Sequence, residues 1–524
     1  MPYAAPPLLE QAIAFSQSGN PIAAERLCLE ILRAEPRNIS ALNVLAITRI
    51  QMGRLPDALA AYDAALNIRL EFTLAYGRAV LLRKMARSAE SVVAFDQAIA
   101  LKPNSAEAWN GRGNGLRDLN RPLEAIAAFD KALALKPGTP SILFNRAMAQ
   151  CNAKLYAEAM TGFDLVLVQQ PAFAEALVER GVALRHLCRF DEALASFDNA
   201  LAIDPRSVHA LNNRGAAFQD MGRLADAGAD FDRAIALQPD NPELWKNRAK
   251  LLCVQGCTAE GLVAFTRAAA LTGKDPNQPT FAHREQHDRE QKAYLSSIPE
   301  TERGQKLSAP AIRLDDDADR IVRIWREAKP QIVVIDNFLR DEALGKLRRF
   351  CLDSPIWKNS YPNGYLGAMP ETGFACPLLA QIADELRDSY PAIFRNLPLH
   401  YLWGFKYDSS LKGINIHADQ AAVNVNFWIT PDEANLDPQS GGLVIWDVAA
   451  PLDWDFEKFN GGDHATIRKF LDDNNARAVK IPYRANRAVI FDSDLFHETD
   501  EIHFRDGYEN RRINVTLLYG RRGD

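Results

Sequence analysis

Apolar and aromatic positions recur with a fixed beat through the first half of the chain. Phe95, Phe129, Phe163, Phe197, Phe231 and Phe265 are each 34 residues apart, and Pro103, Pro137, Pro171, Pro205 and Pro239 keep the same step. Within each period the apolar residues fall at helical spacing on either side of a short polar turn, so the pattern predicts helix, turn, helix. Small residues let the paired helices approach, the aromatic fills the gap to the next unit, and proline ends the second helix. Eight units are expected, starting near Ala5, Ile39, Phe72, Ala106, Pro140, Ala174, Val208 and Pro242, and the beat stops after Leu271. The unit at Ile39 is one residue short and carries Leu70 where the proline is expected.

The best unit resembles the tetratricopeptide repeat (TPR), with Trp109, Gly113, Ala125, Phe129, Ala132 and Pro137 at signature positions. That resemblance implies an all-α superhelical solenoid over residues 5–275, with a concave groove that takes a protein or peptide. Arg78, Arg112, Arg146, Arg180, Arg214 and Arg248 are in register, and so are Asp63, Asp96, Asp130, Asp164, Asp198 and Asp232. Equal numbers in equal register favour ion pairs inside the array over an arginine ladder for an acidic ligand. Asn145, Asn213 and Asn247 share a repeat position and are candidates to hydrogen-bond a peptide backbone.

Residues 276–330 read as a linker, entered through the breaker-rich stretch 272–281 and containing two polar segments of helical character. His283 and His287 lie four apart, but no third ligand is near, so a solvated helix face is expected rather than a metal site. From residue 331 the alternation changes to period two, the signature of strands. In 413–420, Asn415, His417 and Asp419 share one face and Ile414 and Ile416 the other; in 421–430, Asn424, Asn426 and Trp428 oppose Val423, Val425 and Phe427. Many short strands separated by Gly, Asn, Asp and Pro predict a mainly-β jelly roll with flanking helices over 331–524, making the chain multidomain.

Composition narrows the function little. Hydrophobic residues make up 47% of the 524, and the net charge of −6 leaves no electrostatic footprint for nucleic acid or an anionic membrane. No signal peptide or membrane span is recognisable. Seven scattered cysteines without a CxxC pair (Cys253 and Cys257 are four apart) argue for a reducing, cytoplasmic compartment.

The chemistry sits near the C-terminus. His417, Asp419 and His497 together offer two imidazoles and one carboxylate, a donor set that can occupy one face of an octahedral iron. Arg512 follows as a planar cation suited to clamping a carboxylate. In sequence context, residues 331–524 resemble the Fe(II)/2-oxoglutarate-dependent dioxygenases, in their prolyl hydroxylase-like subset. The resemblance is carried by VVIDNFL and its helix, by FKYDSSLKGINIHAD, by AVIFDSDLFHETDEI and by RRINVTLLYG. It implies a double-stranded β-helix with His417, Asp419 and His497 as ligands of Fe(II). It further implies Arg512, Tyr407 and Asn514 as the grip on 2-oxoglutarate, and O2-dependent hydroxylation as the reaction. Arg511 is the adjacent alternative to Arg512, and His503 competes with His497; shared strand faces favour Arg512, and the FDSDLF context favours His497.

The insertion at 451–483 is expected over the site mouth, with His464 at its surface; Trp428 and Trp446 are candidate pocket or core residues. Three functions remain open on sequence. They are a hydroxylase whose repeats bind a protein or peptide substrate, a non-enzymatic TPR scaffold with a degenerate jelly roll, and a small-molecule hydroxylase using its repeats for assembly. Substrate and oligomeric state are not encoded in any motif.

Overall fold

The computed structural model describes residues 7–272, 281–295, 304–313, 318–394, 396–408, 410–411, 414–462 and 464–523. Ala5 and nearly all of the 272–281 exit lie outside them. The chain divides into two compact units, Met1–Ala217 and Phe218–Asp524.

Eight helix pairs fill the repeat region, and seven of them begin at the residues the pattern marks, from Ile39 to Pro242. The first starts at Leu8 rather than Ala5. The reason for the 34-residue beat is steric. Gly77 and Gly111 lie against Tyr62 and Phe95 of the preceding unit, where a Cβ would come within 2.7 and 2.3 Å of the ring. Gly113 and Gly181 lie against Phe129 and Phe197 of their own units, where a Cβ would come within 2.6 Å. Tyr62, Phe95, Phe129 and Phe197 are thus wedged against backbone at glycines where any side chain would overpack. The arginine and aspartate registers close on each other: Arg78–Asp63, Arg112–Asp96 and Arg180–Asp164 at 2.6 Å, Arg146–Asp130 at 2.7 Å, Arg214–Asp198 at 2.5 Å and Arg248–Asp232 at 2.8 Å. Of the asparagine row, Asn145 donates to Asn110 and Asn213 to the carbonyl of His209, so no open ladder of amides results.

The second unit contains antiparallel sheets. Its strands are β1 (Ile332–Ile335), β2 (Asn359–Ser360), β3 (Tyr365–Ala368), β4 (Leu399–Tyr407), β5 (Ser410–Leu411) and β6 (Val423–Trp428). They continue as β7 (Leu443–Ala449), β8 (Ala478–Ile481), β9 (Ala488–Asp492), β10 (Leu495–Thr499), β11 (Ile502–His503) and β12 (Ile513–Tyr519). A seven-stranded sheet runs β1-β9-β6-β12-β4-β3-β2, a three-stranded sheet runs β10-β7-β8, and β11 pairs with β5. Alternation along the strands splits the interior in two. Val425, Phe427, Val515 and Leu517 join a core with the helices Asp341–Asp353 and Pro377–Ser389. Tyr407, Trp428, Val489 and Phe491 pack instead with Leu443, Ile445 and Leu495 of the smaller sheet.

The stretch read as a linker is, in its described parts, built into this unit. From the helix Ala282–Leu295, Gln291 donates to the carbonyls of Leu352 and Ser354, and Glu290 pairs with Arg511 at 2.9 Å. His287 is buried beside Tyr508, while His283 reaches Ser360 at 3.0 Å, so they share no metal. The end of the repeat array belongs here too: Ala249, Leu262, Ala264 and Phe265 lie in the helix-side core, and Thr258 donates to Asp384 at 2.7 Å.

The turn inside each unit places one residue at positive φ, and the eight are Gly19, Gly53, Ala86, Asn120, Lys154, Cys188, Gly222 and Gly256. A Cβ there costs about 1–2 kcal/mol. Ala86→Gly should therefore stabilise its unit by about 0.5–1 kcal/mol after the entropic cost of glycine. Native-state hydrogen exchange of helices Phe72–Lys84 and Ser88–Leu101 reads this out, and unchanged or faster exchange would contradict it.

Candidate metal centre

The segment 414–419 is not the regular strand that its alternation predicts. It makes one isolated bridge, His417 to His497, closed by His417 N–H to the His497 carbonyl at 3.0 Å and by the reverse bond at 2.8 Å. The alternation itself survives: Ile416 and Ala418 are buried in an apolar cluster with Phe459, Ile467 and Phe496. His417 and Asp419 point the other way, toward His497 on β10. The insertion holds this irregular segment in place, since Ala418 N–H donates to the carbonyl of Phe459 at 3.1 Å and Asn460 donates to the Ala418 carbonyl at 2.7 Å.

One ligand atom from each of His417, Asp419 and His497 lies within 4.8 Å of the others. His417 Nε2 is 3.7 Å from Asp419 Oδ1, and His497 Nε2 is 3.3 Å from Oδ2. Both imidazoles turn Nδ1 to a backbone carbonyl, His417 to Asn415 at 2.7 Å and His497 to Leu495 at 3.0 Å. A carbonyl only accepts, so Nδ1 carries the proton and the Nε2 lone pair is left for a metal. Burial pushes His417 down to about 4, so it is neutral at physiological pH. Burial works to raise the Asp419 pKa, but the two neighbouring imidazoles and the Asn424 amide at 2.7 Å together hold it below the usual carboxylate range. Two imidazole nitrogens and one carboxylate suit a divalent transition metal.

Arg512 is almost fully buried, and among the described residues it forms no salt bridge. Its Nε donates to the Gly441 carbonyl at 2.6 Å, Nη2 to Gly442 and Nη1 to Asn514 Oδ1, both at 3.4 Å. The guanidinium stacks 4.7 Å from the Tyr407 ring, whose hydroxyl lies 3.4 Å from Thr499. A buried cation whose direct contacts are all neutral is costly even with the Asp500 charge nearby, and an incoming carboxylate would offset that cost. Arg511, by contrast, is committed to Glu290 and to Asp408 at 3.2 Å. Arg512, Tyr407, Asn514, Thr499 and the three triad residues line one narrow inner chamber. An outer cleft of about 1040 Å³ shares Trp403, Phe405, Ile414, His417 and Asp419 with it.

The other candidates fall elsewhere. His503 is half exposed on β11, 3.7 Å from Glu501, and is not a triad member. His464 sits at the cleft rim with Nδ1 3.2 Å from the Ile416 carbonyl, and the insertion also contributes Phe456, Asn460 and Gly462 to the cleft. Trp428 and Trp446 are core. The sequence reading missed the aromatic wall on Tyr401, Trp403 and Phe405, although their period-two spacing along β4 was a usable signal. It also missed Asn424 as the partner of Asp419.

Family models for the tetratricopeptide repeat match residues 9–70, 76–140, 111–171, 174–207 and 212–279. The repeats are tetratricopeptide repeats. Similar solved structures include a tetratricopeptide repeat protein from Parabacteroides merdae, at 20% identity over 47% of this chain and 96% of that one, with a TM-score of 0.39. YrrB, described as a TPR protein with an unusual peptide-binding site, is 23% identical over 35% of this chain and 95% of its own, with a TM-score of 0.32. Pseudomonas aeruginosa pilF is 19% identical over 39% and 93%, with a TM-score of 0.35. No curated protein matches the chain. The TPR array suggests a protein-interaction scaffold, and among the described residues no helix is long and apolar enough to cross a membrane.

The Asn424 bond to Asp419 Oδ2 holds the carboxylate in the orientation that meets both histidines. Asn424→Ala should weaken Co(II) binding about 10–100-fold, the usual range for losing a group that orients a ligand. His503→Ala should leave it unchanged. Titration of metal-free protein followed by visible absorption checks both, and equal effects of the two variants would contradict the assignment.

Proposed function

We propose that residues 331–524 form an Fe(II)- and 2-oxoglutarate-dependent dioxygenase, a hydroxylase module of the double-stranded β-helix type, carried on a TPR array that binds a protein or peptide substrate or partner. The observation that supports this best is the conjunction of a His417–Asp419–His497 donor set with a buried Arg512 that lacks an anionic partner, in one chamber. A metal alone would not need the arginine, and a carboxylate ligand alone would not need the triad. The YrrB likeness lends the array no more than a precedent for peptide binding among TPR proteins.

In this reading His417, Asp419 and His497 hold Fe(II) through Nε2, a carboxylate oxygen and Nε2. When bound, iron, 2-oxoglutarate and O2 supply the oxidising power: one oxygen atom enters a substrate C–H bond, the other enters succinate, and CO2 leaves. Arg512 takes the distal carboxylate of 2-oxoglutarate, with Tyr407 stacked on the guanidinium and Asn514 beside it. Asn424 orients Asp419, and Asn460 with the Phe459 carbonyl fixes the backbone between the two first ligands. Leu443, Trp428 and Phe491 keep the chamber dry, which strengthens each of these electrostatic contacts.

The experiment is anaerobic addition of Fe(II) and 2-oxoglutarate to the purified apoprotein, followed by visible spectroscopy. A metal-to-ligand charge-transfer band is expected, absent in His497→Ala. Arg512→Gln should retain metal but require at least about tenfold more 2-oxoglutarate, given the strength of a charge-assisted carboxylate clamp. A folded protein with no band would sink the proposal and leave the TPR groove as the place where the function lies.

A further inference from the structure

The outer cleft has a composition of its own. Tyr401, Trp403 and Phe405 alternate along one face of β4, and Tyr365 and Tyr361 continue the wall across β3. Ring centroids step along it at 5.9 Å (Tyr401–Trp403), 6.1 Å (Trp403–Phe405), 5.3 Å (Phe405–Tyr365) and 4.5 Å (Tyr365–Tyr361). All five are only partly buried, so a continuous aromatic surface is left facing the cleft. At its far end from the triad stands Glu371, on the short turn Pro370–Thr372. The Tyr401 hydroxyl donates to it, 2.6 Å from either oxygen. One hydroxyl proton anchors the carboxylate without neutralising it, and among the described residues Glu371 forms no salt bridge. Nor do the described residues lining the cleft include a lysine or arginine.

A carboxylate beside aromatic faces is the recognition chemistry of an organic cation, which gains both an ion pair and cation–π attraction. The rim adds carboxamides from Asn359, Asn363, Asn415, Gln420 and Asn460, groups that match the donors and acceptors of a peptide backbone. From Tyr401 to Phe405, four residues of strand span about 13 Å, the length of three to four extended peptide residues. We infer that the cleft receives an extended polypeptide segment whose lysine or arginine side chain docks on Glu371 and the Tyr401–Trp403 faces. A residue about three to four positions away is then presented at the triad. The inference rests on the dioxygenase reading for what happens at the triad, but the binding preference can be measured apart from it.

The test uses the full-length protein and fluorescein-labelled, capped alanine–glycine octapeptides carrying one Lys, Arg, norleucine or Glu, followed by fluorescence anisotropy. Lys and Arg peptides should bind at least about tenfold tighter than the norleucine and Glu peptides, as one partly desolvated charge pair allows. Glu371→Gln should erase that difference, and Trp403→Leu should weaken the Lys and Arg peptides several-fold. No preference for the cation, or one that survives Glu371→Gln, would overturn the assignment, since it would place recognition in the TPR groove or nowhere. Spermidine binding more tightly than every peptide would also overturn it, in favour of a free polyamine. The charge-transfer band with Fe(II) and 2-oxoglutarate, recorded on the same samples, separates the two ideas. A band without cation preference removes only this inference, whereas cation preference without a band removes the dioxygenase reading. A retained band in Glu371→Gln shows that the variant is folded.

Discussion

One narrow pair of backbone hydrogen bonds organises the candidate site. His417, on an irregular segment, and His497, on β10, exchange amide and carbonyl, and their ring centroids end 4.4 Å apart. Residues in such reciprocal pairs keep their side chains on the same face. The bridge therefore delivers two imidazoles to one point without a regular ladder around it. Asp419, two residues on, falls on the same side because Ile416 and Ala418 are drawn into the apolar cluster beneath the insertion. Hydrophobic burial on one side of the segment thus sets donor geometry on the other.

The same division of labour runs through the seven-stranded sheet. Strands β6 and β12 place Val425, Phe427, Val515 and Leu517 against helices, and Asn424, Asn426, Asn514 and Thr516 against the chamber. The polar face is expensive to bury unless its groups bond one another, and most do: Asn426 donates to Thr516 at 3.0 Å, Asn514 reaches both at 3.3–3.4 Å, and only the Asn424 Oδ1 among them lacks a partner. Arg512 is the member of that face whose charge the network leaves unmatched. A site that must accept a charged molecule requires such an imbalance, and a merely structural interior does not.

Much of this was legible in the chain. Repeat starts and the arginine–aspartate registers follow from the period of 34, and the shared face of His417 with Asp419 and the preference for Arg512 over Arg511 from a period of two; His497 is singled out by the resemblance of its FDSDLF context instead. What the pattern could not reveal was packing between segments far apart in sequence. The helix Ala282–Leu295 reads as solvated polar helix, yet His287 and Gln291 are buried because their partners, Tyr508, Leu352 and Ser354, come from more than sixty residues away. Likewise 414–419 alternates like a strand but has only one bridge partner. Asn424 looked like any polar interior residue until Asp419 was seen to fold back onto it. The Tyr401–Phe405 wall was written in the sequence with strand spacing, but aromatics at that spacing describe a core as readily as a cleft.

The burial of Leu262, Ala264 and Phe265 among residues of the sheet-bearing unit bears on how the two parts of the chain came to be joined. A solenoid cannot end on an ordinary unit, because its last apolar face would lie open to water; free-standing arrays terminate in a specialised polar helix. Here the helix Pro377–Ser389 takes that office, meeting the final unit through Asp384 and Thr258. The last repeat residues and the sheets therefore belong to one compact unit. Cutting the chain after the repeats would leave Leu262, Ala264 and Phe265 open to water, so the solenoid and the sheets cannot be separated at that point without a new surface to cover its end.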